Sequence, residues 1–140
     1  MDLKNIIALK GENGLFRIVG GNDKFKLVES MKNQSKKAVN DIHKVIPLEM
    51  ITIFTLNDEE DISLKKIFKS FRDEDIAGTL IDPKAEPKKI AEYFKTLFPD
   101  YDEEQVYPSI ISKFIVWYNF LKDRISMQDE DAKPEQEEEK

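Results

Sequence analysis

The sequence predicts an α+β protein, in which an N-terminal small SH3-like β-barrel is followed by a C-terminal bundle of about three helices. Three observations predict this class. Short runs rich in β-branched residues occupy residues 1–57, helical spacing of apolar residues occupies 58–126, and residues 127–140 have almost no apolar side chains. We therefore expect a small β domain, a helical domain and a disordered acidic tail over these ranges.

The β domain is predicted from short apolar runs separated by turn residues, and its four or five strands would be too small for anything but a curled barrel. The predicted strands lie near residues 14–21, 24–29, 37–39 and 43–56. Residues 20–23 have the composition of a tight hairpin. Pro47 interrupts the last run because it has no N–H for a strand ladder, and residues 48–50 are expected to form a single helical turn.

The helical domain is predicted from apolar residues spaced three and four positions apart. The stripe of the first helix consists of Leu64, Ile67, Phe68 and Phe71. Ser63 is the expected N-cap of this helix, and Pro87 and Pro99 are expected to open and close the second. A third helix is predicted over about 109–125. Its apolar residues cover more than one stripe, which indicates packing against two neighbours or against another chain.

Length and composition exclude several classes of protein. The 140 residues contain no apolar run near the roughly 20 residues that cross a bilayer, and the first residues lack the features of a signal peptide. We therefore expect a cytoplasmic protein with no membrane partner. The chain contains no cysteine, which excludes disulfides, a thiolate nucleophile and cysteine-ligated metal.

The net charge of −6 is distributed unevenly along the chain. Residues 1–57 contain nine basic and six acidic residues, 58–126 contain eleven and fifteen, and 127–140 contain two and seven. Such asymmetry indicates segments with separate electrostatic roles. The tail is interpreted as disordered and solubilising, with binding of a basic partner as the alternative.

The sequence offers no catalytic, cofactor-binding or metal-ligating residues, and we expect that the protein is not an enzyme. His43 is the single histidine, and neither a cysteine nor a nucleophile-elbow motif accompanies it. Carboxylates cluster at 58–61, 73–75 and 100–104, which are predicted helix ends where solvated negative charge is favourable. Weak binding of divalent cations is the alternative reading of these clusters. None of them has the pattern of a Ca²⁺-binding loop.

Glycine spacing gives little support for nucleotide or phosphate binding. Gly11 and Gly14 have the spacing of a KH-type loop, but they precede a predicted strand and enclose Glu12, so a turn is the better interpretation. Neither a P-loop nor a dinucleotide-binding motif occurs.

Nucleic acid is one candidate partner, through a basic surface of the β domain. The candidate residues are Arg17, Lys24, Lys26, Lys36, Lys37 and Lys44. A net charge of +3 over 57 residues is far below the footprint of a typical nucleic-acid-binding domain. The domain also contains only three aromatic residues, and each is more useful in the core than as a stacking platform.

Protein is the other candidate partner, through the aromatic third helix. The candidate interface residues are Tyr107, Phe114, Trp117, Tyr118 and Leu121. Tryptophan and tyrosine are enriched at interface hot spots. The alternative is that these side chains complete the core of a three-helix unit.

Several segments together resemble an uncharacterised bacterial family found in Bacteroidetes. These segments are MDLKNIIAL (1–9), GLF (14–16), LEMITIFT (48–55), FPDYDEEQVYPS (98–109) and WYN (117–119). The resemblance covers about residues 1–125 and excludes the tail. It implies an N-terminal small β domain joined to a C-terminal helical domain, both of unknown function, and it supplies no catalytic residues.

The function expected from the sequence is therefore non-enzymatic binding of a macromolecule, either another protein or a second copy of this chain. The absence of catalytic groups and the broad aromatic face of the third helix favour this reading. A nucleic-acid-binding regulatory protein is the alternative. No cofactor and no metal are expected.

Overall fold

The computed structural model describes residues 1–56 and 60–127 and divides into two units. The sheet unit is Leu3–Thr52, and the helical unit contains the described residues from Ile53 onward together with Met1 and Asp2. The predicted domain boundary at residue 57, and residues 128–140 of the tail predicted over 127–140, lie outside the described residues. A five-stranded antiparallel sheet and three α-helices confirm the α+β class.

The sheet unit is a meander whose fifth strand returns to pair with the first. Its strands are β1 (Ile6–Leu9), β2 (Leu15–Gly21), β3 (Lys26–Ser30), β4 (Lys36–Val39) and β5 (Val45–Pro47). The spatial order is β4-β3-β2-β1-β5, and all four pairings in this sheet are antiparallel. The short apolar runs between turn residues predicted β2, β3 and β4 at nearly their observed positions.

The SH3-like barrel is not confirmed, because no ladder between β4 and β5 closes the sheet within the described residues. The two edge strands have only four and three residues, and a 3-10 helix at Ile42–Lys44 separates them. Pro47 ends β5 rather than interrupting a longer strand, and it lies on the edge strand, where a missing N–H is tolerated. The 3-10 helix Leu48–Met50 confirms the predicted helical turn.

The inner strand β1, which lies between β2 and β5, is absent from the strands predicted from the sequence. All four of its residues are buried, so its two faces are both apolar and the sequence shows no alternation there. Leu48, in the 3-10 helix that follows β5, is fully buried, and this helix packs against β1. One face of the sheet carries a core formed by Ile7, Leu9, Phe16, Val28 and Val39.

The helical unit contains α1 (Leu64–Ala77), α2 (Pro87–Leu97) and α3 (Pro108–Leu121). The predicted N-cap of α1 is confirmed, since the Ser63 hydroxyl accepts a hydrogen bond of 3.2 Å from the Lys66 N–H. α1 ends at Gly78, which adopts the left-handed conformation with φ of 79°.

The third helix ends four residues before the predicted limit of 125, although the chain continues along a helical path for one more turn. The Lys122 N–H donates to the Tyr118 carbonyl at 2.9 Å, and the Ile125 N–H donates to the Leu121 carbonyl at 2.9 Å. Asp123 lies in this additional turn and therefore occupies a position on the continuation of α3.

Two short pairings involve the chain on either side of Ile53, where the helical unit resumes. β6 (Thr52–Ile53) and β7 (Ile62–Ser63) form a separate two-stranded sheet. Thr55 forms a β-bridge with Tyr101, flanked by backbone hydrogen bonds from Leu56 and to Phe54. The chain preceding α1 is thus tied to the segment between α2 and α3.

Gly21 at the β2–β3 turn provides a test of the hairpin. Its φ is 109°, and a Cβ there would lie 2.5 Å from the Phe25 carbonyl oxygen. We expect Gly21→Ala to lower the free energy of unfolding by ~2–3 kcal/mol, measured by urea denaturation.

Gly14→Ala is the matched control. Gly14 also has a positive φ, of 88°, but a Cβ there would meet no atom within 4 Å. This change should therefore cost only ~1 kcal/mol, from backbone conformation alone. Equal losses for the two variants would show that the close approach at Gly21 contributes nothing.

Candidate protein-binding face of the helical unit

Aromatic rings join the three helices of this unit. Phe71 of α1 lies with its ring centroid 6.4 Å from that of Phe94 in α2 and 6.1 Å from that of Tyr118 in α3. Phe94 in turn lies 4.8 Å from Tyr101, in an edge-to-face arrangement. Edge-to-face pairs at these distances stabilise a core beyond the area they bury.

The Tyr118 hydroxyl connects this core to a carboxylate at the end of α1. It donates a hydrogen bond of 3.0 Å to Oδ2 of Asp75, and Lys122 Nζ lies 3.3 Å from the same oxygen. Burial, followed by the hydrogen bond to Asp75, raises the pKa of Tyr118 above its usual value of 10.0. The hydroxyl therefore stays protonated and donates a hydrogen bond that links α3 to α1.

A second tyrosine makes an equivalent contact from α2. The Tyr93 hydroxyl donates a hydrogen bond of 2.8 Å to Oε1 of Glu74, which also accepts from the Thr79 hydroxyl at 3.0 Å. Burial and the Glu74 hydrogen bond raise the pKa of Tyr93 as well. The last turn of α1 is thus tied to both of the other helices.

These contacts determine what the tyrosines and carboxylates can do chemically. A phenol with a raised pKa stays protonated at neutral pH, so it is suited to donating hydrogen bonds and unsuited to acting as a base or nucleophile. Glu74 and Asp75 accept those hydrogen bonds in a half-buried setting. The cluster therefore links α1 to α2 and α3 by hydrogen bonds between side chains.

The five predicted interface residues differ in their exposure to solvent. Phe114, Trp117, Tyr118 and Leu121 are buried, with Trp117 the most accessible of them at 9% exposure. Tyr107, one residue before α3, is 59% exposed. The four buried side chains belong to the core alternative, and Tyr107 is the member of the set that a partner can reach.

The outward side of α3 carries a different set of residues, which we name the α3 stripe. The α3 stripe consists of Ser109, Lys113, Val116, Phe120 and Asp123. Their spacing of four, three, four and three places them along one line of the helix. Val116 is 51% exposed and Phe120 is partly exposed.

Contacts at both ends of the stripe hold cationic groups over aromatic rings. Lys113 Nζ lies 6.0 Å from the ring centroid of Trp117, and the Arg124 guanidinium lies 3.7 Å from that of Phe120. The sequence does not reveal the stripe, because apolar residues occupy most of α3 and the periodicity of the stripe is hidden beneath that of the core face. The available signal was the four-three spacing of residues that include Lys113 and Asp123.

The six predicted basic residues do not share one face of the sheet. Residues that pair across strands lie on the same face, so Arg17 and Lys36 lie on one side, in register with Glu29 between them. Lys26 and Lys37 lie on the other side, in register with Val39 and Val28 respectively. Lys24 and Lys44 belong to a turn and to a 3-10 helix.

Lys37 is already engaged by neighbouring groups. Its ammonium makes an ion pair with Glu12 and lies 5.3 Å from the ring centroid of Phe16. No ion pair involves Arg17, Lys24, Lys26, Lys36 or Lys44 within the part of the chain that the structure describes.

The remaining candidate groups, the single histidine and the acidic clusters, can also be located in the structure. His43 lies in the exposed 3-10 helix, where its backbone N–H donates to Oδ1 of Asp41 at 3.0 Å. Across residues 1–56 and 60–127, no three His, Asp or Glu side chains are arranged to hold a metal ion. None of the helices in these residues has the length and apolar character needed to span a membrane.

Comparisons with known proteins agree with this architecture. A family model described as a domain of unknown function (DUF6852) matches residues 51–121, half of the chain. A protein from Bacteroides vulgatus, whose structure was solved by NMR in solution, is 26% identical with a TM-score of 0.64. The match covers 86% of this chain and 85% of that one. No curated protein matches. The resemblance to an uncharacterised Bacteroidetes family is confirmed.

Tyr118→Phe tests the hydrogen bond that links α3 to α1. Removing the hydroxyl takes from Asp75 the hydrogen bond that it accepts from Tyr118 and leaves it the Lys122 contact, and we expect the free energy of unfolding to fall by ~1–2 kcal/mol in urea denaturation. Tyr107→Phe is the control, because it makes the same chemical change at an exposed position and should alter stability by less than ~0.5 kcal/mol.

The pH dependence of stability gives an independent test. A raised pKa in the folded state means that the contribution of Tyr118 is complete below the unfolded pKa of 10.0 and is lost as the pH rises above it. Wild-type protein should therefore lose more stability between pH 8 and about pH 11 than Tyr118→Phe does. Parallel losses in the two proteins would contradict this role for the hydroxyl.

Proposed function

The chain belongs to the DUF6852 family of domains of unknown function, and we propose that it is a non-catalytic module that binds another protein or a second copy of itself. The observation that carries the proposal is the α3 stripe. It places Val116 and Phe120 side by side on the outward surface of a helix whose opposite side is fixed in the core.

The chemistry of the helical unit supports binding over catalysis. Its best-placed polar groups, the hydroxyls of Tyr93 and Tyr118, are used as donors to Glu74 and Asp75. A catalytic site needs a group whose pKa lies near the working pH, whereas both phenol pKa values are moved away from neutrality.

The arrangement of exposed apolar groups supports a protein partner. Single exposed apolar side chains are common on soluble proteins and need no explanation. Val116 and Phe120 are one helical turn apart, however, with Lys113 and Asp123 at either side along the same line. An apolar centre flanked by charges is the pattern of helix faces that pack against other helices.

Val116→Lys tests the proposal, because a charge at the centre of the stripe should prevent burial against a partner. Crosslinking in cells, followed by quantitative mass spectrometry, should show at least tenfold less crosslinked product for this variant, including any product of two copies. Ile76→Lys is the matched control, since Ile76 is an 80% exposed aliphatic residue on α1, away from the stripe. Identical products for Val116→Lys and wild type would overturn the proposal.

We also propose an SH3-like character for the sheet unit. A five-stranded meander whose last strand pairs with the first, preceded by a 3-10 helix, has the connectivity of SH3-like barrels, and this supports the proposal. A solution structure in which residues 3–52 form a flat sheet would contradict it. A cytoplasmic location stays a prediction.

Nucleic-acid binding is the second candidate function. The observation that favours it is that Lys24 and Lys26 lie two positions apart in the β2–β3 hairpin, without an ion pair in the described part of the chain. Their positions at a hairpin tip would allow contact with a phosphate backbone.

Lys24→Glu/Lys26→Glu tests this alternative in a fluorescence binding assay with RNA and DNA. If it holds, wild-type affinity should fall as salt rises, and the double variant should lose at least tenfold in affinity at low salt. Lys88→Glu/Lys89→Glu makes the same charge change at two exposed positions of α2 and should bind like wild type. Absence of wild-type binding at low salt would end this alternative.

A further inference from the structure

We propose that two copies of this chain pair by antiparallel packing of their α3 stripes, an inference that rests on the protein-binding function above. The stripe repeats at intervals of four and three residues, which is the spacing that keeps one seam of a helix against a partner helix. Two such seams pack with their axes inclined at roughly 20°.

The sequence of the stripe is complementary to itself when the two helices run in opposite directions. Val116 lies two positions before residue 118 and Phe120 two positions after it, while Lys113 and Asp123 lie five positions before and after. A two-fold axis at the level of residue 118 therefore places Val116 against Phe120 of the second copy. The same axis places Lys113 against Asp123 at both ends.

The charges of the stripe select the antiparallel direction. Parallel packing in register would place Lys113 against Lys113 and Asp123 against Asp123, and like charges at an interface are strongly unfavourable. Antiparallel packing also moves each Lys113 towards the C-terminal end of the neighbouring helix, where the helix dipole favours a cation. Both side chains are exposed, and neither makes an ion pair within the described residues.

The apolar centre of the pairing is small. It contains Val116 and Phe120 from each copy, and Phe120 is already shielded in part by the Arg124 guanidinium. Interfaces of this size are characteristic of weak and transient association. We therefore expect a dimer whose population rises with protein concentration.

Charge reversal tests both the pairing and its direction, using sedimentation velocity over a range of concentrations. Lys113→Asp alone places acidic groups against Asp123, and Asp123→Lys alone places basic groups against Lys113. Each variant should weaken self-association at least tenfold. An equimolar mixture of the two variants should form a heterodimer, because every facing pair then has opposite charges. The double variant K113D/D123K should self-associate like wild type.

Three outcomes would overturn the inference: wild-type protein that is monomeric at every concentration, single variants that associate like wild type, or a mixture no more associated than its components. Circular dichroism of each variant verifies folding, which should be unaffected because both positions are exposed. If self-association fails but crosslinking to other proteins still depends on Val116, the protein-binding function stands and the α3 pairing alone is wrong.

Discussion

The hydrogen bond between the Tyr118 hydroxyl and Asp75, together with the buried apolar side of α3, determines which side of this helix faces outward. A buried hydroxyl must have a partner, and Asp75 provides it at 3.0 Å when α3 packs against α1 through its apolar side. Tyr118 lies on the side of the helix opposite the α3 stripe. The contact that completes the helical core therefore also places Val116 and Phe120 at the surface.

Local patterns predicted much of the fold because several elements carry their own signals. Ser63 before an apolar stripe predicted the start of α1, and Pro87 predicted the start of α2, since capping and proline geometry act over a few residues. β1 carries no such signal, because a strand buried on both faces has a continuous apolar sequence that suits several structures. Whether the sheet closes depends on pairing between distant strands.

The candidate site was less predictable than the fold. The aromatic composition of α3 correctly marked the helix as important for packing, but it could not separate core from surface. Trp117 and Val116 are adjacent, yet one is 9% and the other 51% exposed, because a step of one residue rotates the side chain by about 100°. The position of the core fixes that rotation, and it comes from contacts with α1 and α2.

The faces on which the basic residues of the sheet lie were equally hard to predict, because side chains alternate between the two faces of a strand at every residue. Lys36 and Lys37 are neighbours in sequence, but the pleat directs them to opposite faces, one in register with Glu29 and the other with Val28. Counting charges along the chain therefore overestimates the charge that any one surface presents. The local field depends on strand register, which composition does not contain.

Ser63 has two structural roles at once, because it is the last residue of β7 and the N-cap of α1. No linker residue separates the two elements. A slip of one position in the β6–β7 ladder would move Leu64 into the capping position, where it has no oxygen to accept the Lys66 N–H. Initiation of the first helix is therefore coupled to correct alignment of a two-residue ladder. Amide hydrogen exchange in the first turn of α1 and in the β6–β7 ladder should therefore change together when either is destabilised.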